Sequence, residues 1–133
     1  MYTIADAAGW YFLAPLFGAV AAVGFLFIIV ILEALVLRGL KWGSLKLSFV
    51  DSAVINLTSG FVGALLFAFS APLVNQGTAF LLLVFGALTV LIEGGMLTLL
   101  QRHPVRQTWT AAIAINVVSY AFLFVVVVGV LRL

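Results

Sequence analysis

The sequence predicts an all-α integral membrane protein, a bundle of four transmembrane helices arranged as two tandem, parallel-repeat helical hairpins. Composition is the first observation behind this. Of 133 residues, 66% are hydrophobic and 8% charged, against roughly 25% charged in soluble domains, and the mean hydropathy is +1.37. Length is the second. A hydrocarbon core of about 30 Å takes about 20 helical residues to cross, so four spans with short loops consume the chain and 1–133 reads as one transmembrane domain. The third is a polar pattern that occurs twice. An offset of sixty positions places Glu33 on Glu93, Lys46 on Arg106, Asn56 on Asn116 and Ser59 on Ser119, with Ser48 on Thr108 and Phe49 on Trp109. Apolar coincidences between membrane helices carry little information, whereas polar residues returning in one order and spacing indicate an internal repeat. The first hairpin then covers 11–72 and the second 78–132.

Each element follows from local chemistry. Residues 1–10 read as a short polar lead closing on Trp10 and Tyr11, whose amphipathic rings suit the headgroup level, and Pro15 falls early in the first helix, where its missing N–H costs little. The lead lacks the basic stretch of a cleaved signal peptide, so the first helix reads as retained. It continues to about Leu37 with Glu33 as its one charge. Arg38, Lys41, Trp42 and Lys46, with Gly39 and Gly43 as breakers, form a basic first loop. The second helix reads from near Phe49 to about Ala71, with Asp51 complementing the positive end of its dipole. Gly60, Gly63 and Ala64 on this helix form a small-residue face suited to close packing in lipid. Residues 72–78 are an uncharged turn. The third helix spans about 79–100 with Glu93 as its one charge, and Gly94 and Gly95 beside it serve either close packing or a kink. Gln101, Arg102, His103, Pro104 and Arg106 make the third loop, and the fourth helix runs from near Gln107 to Arg132. Trp42 and Trp109, like Trp10, read as interface anchors and His103 as a solvated or headgroup-contacting loop residue.

Loops one and three hold five of the six basic residues, and only Arg132 lies at the other end. The positive-inside rule therefore puts loops one and three in the cytoplasm and both termini on the opposite side. No cysteine is present and His103 is the only histidine, which excludes disulfides, thiolate metal sites and a His-ligated haem within one chain. No metal-ligand cluster and no cofactor motif is legible, and six juxtamembrane cations give no nucleic-acid footprint.

The repeated polar residues are the candidate site. Glu33 and Glu93 sit near the ends of their helices, and Asn56 with Ser59, and Asn116 with Ser119, sit near the starts of the next. Each Glu is thus expected to meet the Asn of its own hairpin, either as a structural clamp or as part of a ligand site, because an intramembrane acid is costly and a functional candidate by default. Glu33 followed by Arg38 is similar to the spacing of light-harvesting helices, but Thr98 stands where the second copy would need an Arg. Glu93 with Asn116 and Ser119 on the next helix resembles, over half the chain, the small four-helix fluoride channels. Their Thr-Thr-Phe-Ser-Thr run and early Arg are absent here, so no site is carried across. The expected function is that of a non-enzymatic structural or accessory subunit in contact with the lipid bilayer, packing into a larger membrane assembly or a homo-oligomer. The alternative is a small channel or transporter for a cation, proton or small polar solute using the Glu/Asn pairs.

The charge count generates a direct test. A cysteine replacing Ser44 should be shielded from an impermeant reagent outside intact cells and one replacing Gln76 should be labelled; external labelling at position 44 would invert the orientation.

Overall fold

The computed structural model describes residues 4–70, 78–100 and 102–131. Four helices follow one another: α1 (Ile4–Gly39), α2 (Leu45–Ser70), α3 (Thr78–Leu99) and α4 (Val105–Leu131). Three of them contain a stretch long and apolar enough to cross a membrane, Gly18–Gly39, Leu45–Leu66 and Val105–Val126, while the apolar part of α3 that meets the same search is the shorter Val84–Leu99. Among the described residues, each helix packs against its two neighbours in the ring α1–α2–α3–α4, and the diagonal backbones stay apart. Expectations for the turn at 71–77, Gln101 and Arg132, and for the side chains of Trp10, Tyr11 and Pro15, lie outside the described residues.

Helix starts come earlier than the sequence reading placed them. α1 is already helical at Ile4 rather than after a ten-residue lead, and α2 begins at Leu45, not Phe49. The cause at α2 is a cap. Ser44 precedes the helix and its Oγ accepts from the Leu47 N–H at 3.2 Å, satisfying one of the four otherwise unpaired donors of a helix start. α1 ends in a Schellman turn. The Trp42 N–H donates to the Leu37 carbonyl at 3.0 Å and the Lys41 N–H to that of Arg38 at 3.1 Å, with Lys41 left-handed at φ 60°. That position is usually glycine; here Gly39 and Gly43 flank it instead. The hydrophobic contact that accompanies such a turn is made by Trp42 and Leu37, both in the core cluster.

Among the residues whose burial is described, the buried apolar ones gather at the basic-loop end. Leu37, Trp42, Ile55, Leu97, Ala111, Ala112 and Ile115 form one cluster, and Glu33, Asn56, Glu93 and Asn116 are buried directly beside it. Farther from these loops, α1 and α4 are tied by Phe25 and Phe122, stacked at 5.4 Å. Between α3 and α4, the Trp109 ring lies on Gly94: a Cβ there would stand 2.6 Å from Cζ3 and 2.7 Å from Cε3, whereas at Gly95 nothing lies within 4 Å. Of the two readings of the glycine pair, Gly94 serves close packing.

The sixty-offset partners of Gly94 and Trp109 are Ala34 and Phe49, which makes the contact testable. Gly94→Ala should cost about 1–3 kcal/mol through overpacking and Gly94→Ala with Trp109→Phe should recover part of it, read by unfolding in detergent. An Ala as stable as the wild type would show that the ring does not rest on the backbone.

Candidate functional site

A helix residue six positions before the end of α1 and one eleven positions into α2 stand roughly 9 and 16 Å from their respective helix ends. Glu33 and Asn56 occupy these positions and nevertheless meet, because α2 begins four residues earlier than expected and so runs farther past the loop. Asn56 Nδ2 donates to Glu33 Oε2, and Asn116 Nδ2 donates to Glu93 Oε2 at 2.6 Å. The amide orientation is chemically determined, since each Nδ2 also donates to the carbonyl four residues back, Ser52 at 3.0 Å and Ala112 at 2.9 Å. A carbonyl can only accept, so both Nδ2 groups must be the donors.

The serines do something else. Ser119 on α4 donates to Glu33 Oε1 on α1 at 2.6 Å, and Ser59 on α2 donates to Glu93 Oε1 on α3 at 3.0 Å. Each carboxylate is therefore held by the Asn of its own hairpin and the Ser of the other. Ser52 adds a further donor to Glu33 Oε2 at 3.0 Å; its sixty-offset partner is Ala112, so Glu93 lacks the equivalent. Sequence reasoning missed Ser52, and the one available signal was its place four residues before Asn56, on the same helix face.

The two carboxylates share a cavity of about 290 Å³ bordered by Leu26, Ile29, Glu33, Asn56, Ser59, Gly60, Gly63, Thr89, Glu93 and Ser119. Leu26 and Thr89 precede the acids, and Gly63 and Ser119 follow the asparagines, so the cavity lies on the side of the acid layer away from the basic loops. On the other side the Leu37 cluster closes the bundle. Gly60 and Gly63 thus border a void: a Cβ at either meets nothing within 4 Å, and Ala64 is exposed. Within the chain no neighbouring helix closes on these two glycines. Thr89, on the cavity wall, accepts from the Tyr120 hydroxyl at 3.2 Å.

Beyond the apolar cluster, the basic-loop end carries a polar cap that the sequence reading did not foresee. Asp51 is 1% exposed and accepts from Trp42 Nε1 at 2.8 Å. Arg102 grips it in fork geometry, Nε to Oδ2 at 2.8 Å and Nη2 to Oδ1 at 3.1 Å. Asp51 is the seventh residue of α2, beyond the first turn, so its partner is Arg102 and not the helix dipole. Trp42, 2% exposed, is a buried donor and not an interface anchor, and Trp109 is half-buried on Gly94. His103 is half-buried as well, its ring 4.4 Å from that of Trp42 and its Nε2–H donating to the Trp42 carbonyl at 2.6 Å. The loops thereby lock to each other. A lone acid near a helix start in so apolar a chain, with an Arg across from it, was the signal available.

Comparison with known protein families, curated proteins and solved structures finds no match.

The crossing is open to measurement. A double-mutant cycle of Glu33→Ala and Ser119→Ala, each of which removes the bond, should show coupling of about 0.6–1.7 kcal/mol, the range of interhelical hydrogen bonds in membranes. Additivity within error would mean that the hairpins are not joined there.

Proposed function

We propose that this chain is a four-span membrane protein that binds a small cation, the proton included, at the paired glutamates, and that it acts as a small transporter. One observation carries this reading: both intramembrane acids lie on the wall of a single cavity. Ionisable groups inside a membrane are costly, and those that face a cavity mark ion and proton pathways.

The hydrogen-bond chemistry supports loading and unloading. In each glutamate, Oε2 faces an amide that can only donate, while Oε1 faces a serine hydroxyl. A hydroxyl donates or accepts by rotation, so a carboxylate accepts from Ser119 or Ser59, and a carboxylic acid donates to the same oxygen. Either charge state is satisfied without moving a heavy atom. A cavity closed at the basic-loop end by the Leu37 cluster and the Asp51–Arg102 pair fits alternating access better than an open pore. In this reading α3 completes the fourth span, the two sixty-offset hairpins are tandem repeats related by an axis along the membrane normal, and the basic loops are cytoplasmic. The chain is not an enzyme in this reading.

A structural or accessory subunit is the second reading. It is favoured by the fact that every glutamate oxygen already accepts a hydrogen bond within the chain, as a clamp without a ligand would require.

Glutamine substitution separates the two, because it keeps shape and hydrogen-bonding capacity while removing ionisation. In detergent, adding monovalent cations or small amines to the wild type should release protons to a pH indicator. Glu33→Gln and Glu93→Gln should each reduce that release at least tenfold with the fold preserved, and the double variant should be no worse than either, since two halves of one site are non-additive. Near-silent, additive glutamines would establish the clamp and the subunit.

A further inference from the structure

The two hairpins differ on their lipid-facing sides, and the difference leaves one groove open. In the second hairpin, the Trp109 ring lies flat on Gly94, where no Cβ stands in its way. In the first, the corresponding residues are Phe49 and Ala34. Ala34 is 1% exposed and carries the Cβ that Gly94 lacks. Phe49 instead meets Phe27 edge-on at 6.2 Å. What remains between α1 and α2 is a groove of about 420 Å³ lined by Ile31, Ala34, Leu35, Leu45, Lys46 and Phe49.

Its chemistry is that of a lipid molecule. The walls are apolar except at Lys46, an exposed residue in the first turn of α2, where the groove meets the basic-loop end. Arg38 and Lys41 are exposed beside the same loop. The nearby acid, Asp51, is buried and already held by Arg102 and Trp42, so it does not neutralise Lys46. An apolar channel ending at a lysine at headgroup depth complements an acyl chain that ends in a phosphate carrying net negative charge.

We propose that the groove between α1 and α2 holds one acyl chain of an anionic phospholipid, with its headgroup paired to Lys46. At the corresponding place in the second hairpin, beside Arg106, the Trp109 ring stands against Gly94 instead. The site is independent of the glutamate cavity, which lies between the helices rather than on the outer face of one hairpin.

Native mass spectrometry of the full chain in neutral detergent tests this, with phosphatidylglycerol and phosphatidylcholine of identical chains as the two probes. The wild type should retain one phosphatidylglycerol with about fivefold preference, the effect of one cation near the surface. Lys46→Gln should abolish the preference and Arg106→Gln should leave it. Filling the groove, by Ala34→Gly with Phe49→Trp or separately by Ile31→Trp, should lower retention of both lipids in protein that still melts cooperatively. Equal retention of the two lipids by the wild type, a preference that survives Lys46→Gln or is lost with Arg106→Gln, or undiminished retention in a folded groove-filled variant would each overturn the site.

Discussion

The structure depends on one interaction made twice, a buried glutamate bonded to the asparagine of its own hairpin and the serine of the other. A bond within a hairpin fixes register between two adjacent helices, but leaves the hairpins free to separate. The serine bonds remove that freedom: Ser119 ties α4 to α1 and Ser59 ties α2 to α3. With the asparagine bonds on the remaining sides, all four helix pairs of the ring are joined at one depth. Lipid supplies no hydrophobic drive for helices to associate, so directional bonds and packing must do it. Each bond is individually modest, yet together they close a ring in which loosening one side strains the others.

Around that ring the two sixty-offset halves diverge in ways with physical consequences. Trp42 and Asp51 stand where the second half has Arg102 and Ala111. Trp42 and Arg102, occupying equivalent places, converge on the same Asp51 carboxylate. A symmetric pair of acids there would have set two like charges near one another in a poorly solvated place, whereas one acid between an indole N–H and a guanidinium is fully satisfied. Because the Arg102 side chain is 36% exposed, its charge stays partly solvated and the pair avoids much of the desolvation that burying both ions would cost. Ser52 opposite Ala112 makes a second asymmetry, giving Glu33 one donor more than Glu93. Ala34 and Phe49 opposite Gly94 and Trp109 make the third, on the outer surface.

These features stack in order from the basic loops. First comes the Asp51 cap with Trp42 and His103, then the Leu37 cluster, then the acid layer, and then the cavity. The Leu37 cluster lies about one helical turn from the acid layer, since Leu37 is four residues from Glu33 and Ile55 is adjacent to Asn56, and Ser52, next to Asp51 in sequence, reaches across to Glu33. Among the side chains whose burial is described, the most buried lie in the cap, the Leu37 cluster and the acid layer.

Much of this was legible in the sequence. Composition dictated apolar helices because so few charges cannot cover a water-soluble surface, and the offset of sixty singled out Glu33, Asn56, Ser59, Glu93, Asn116 and Ser119 because polar residues are few in so apolar a chain and costly in lipid. Helix pairing within a hairpin followed from short loops. Which hairpin each serine serves did not, because Ser59 lies one turn from Asn56 and the register that sends it to Glu93 is a property of four helices assembled. Asp51 looked like a dipole partner because its true partner lies fifty-one residues away in sequence, and Trp42 like an interface anchor because a loop tryptophan in a membrane chain is ordinarily one. Gly60 and Gly63 have the spacing of a packing face, yet they border a void: spacing tells which residues share a helix face, and only the assembled bundle decides whether that face meets a helix or a cavity.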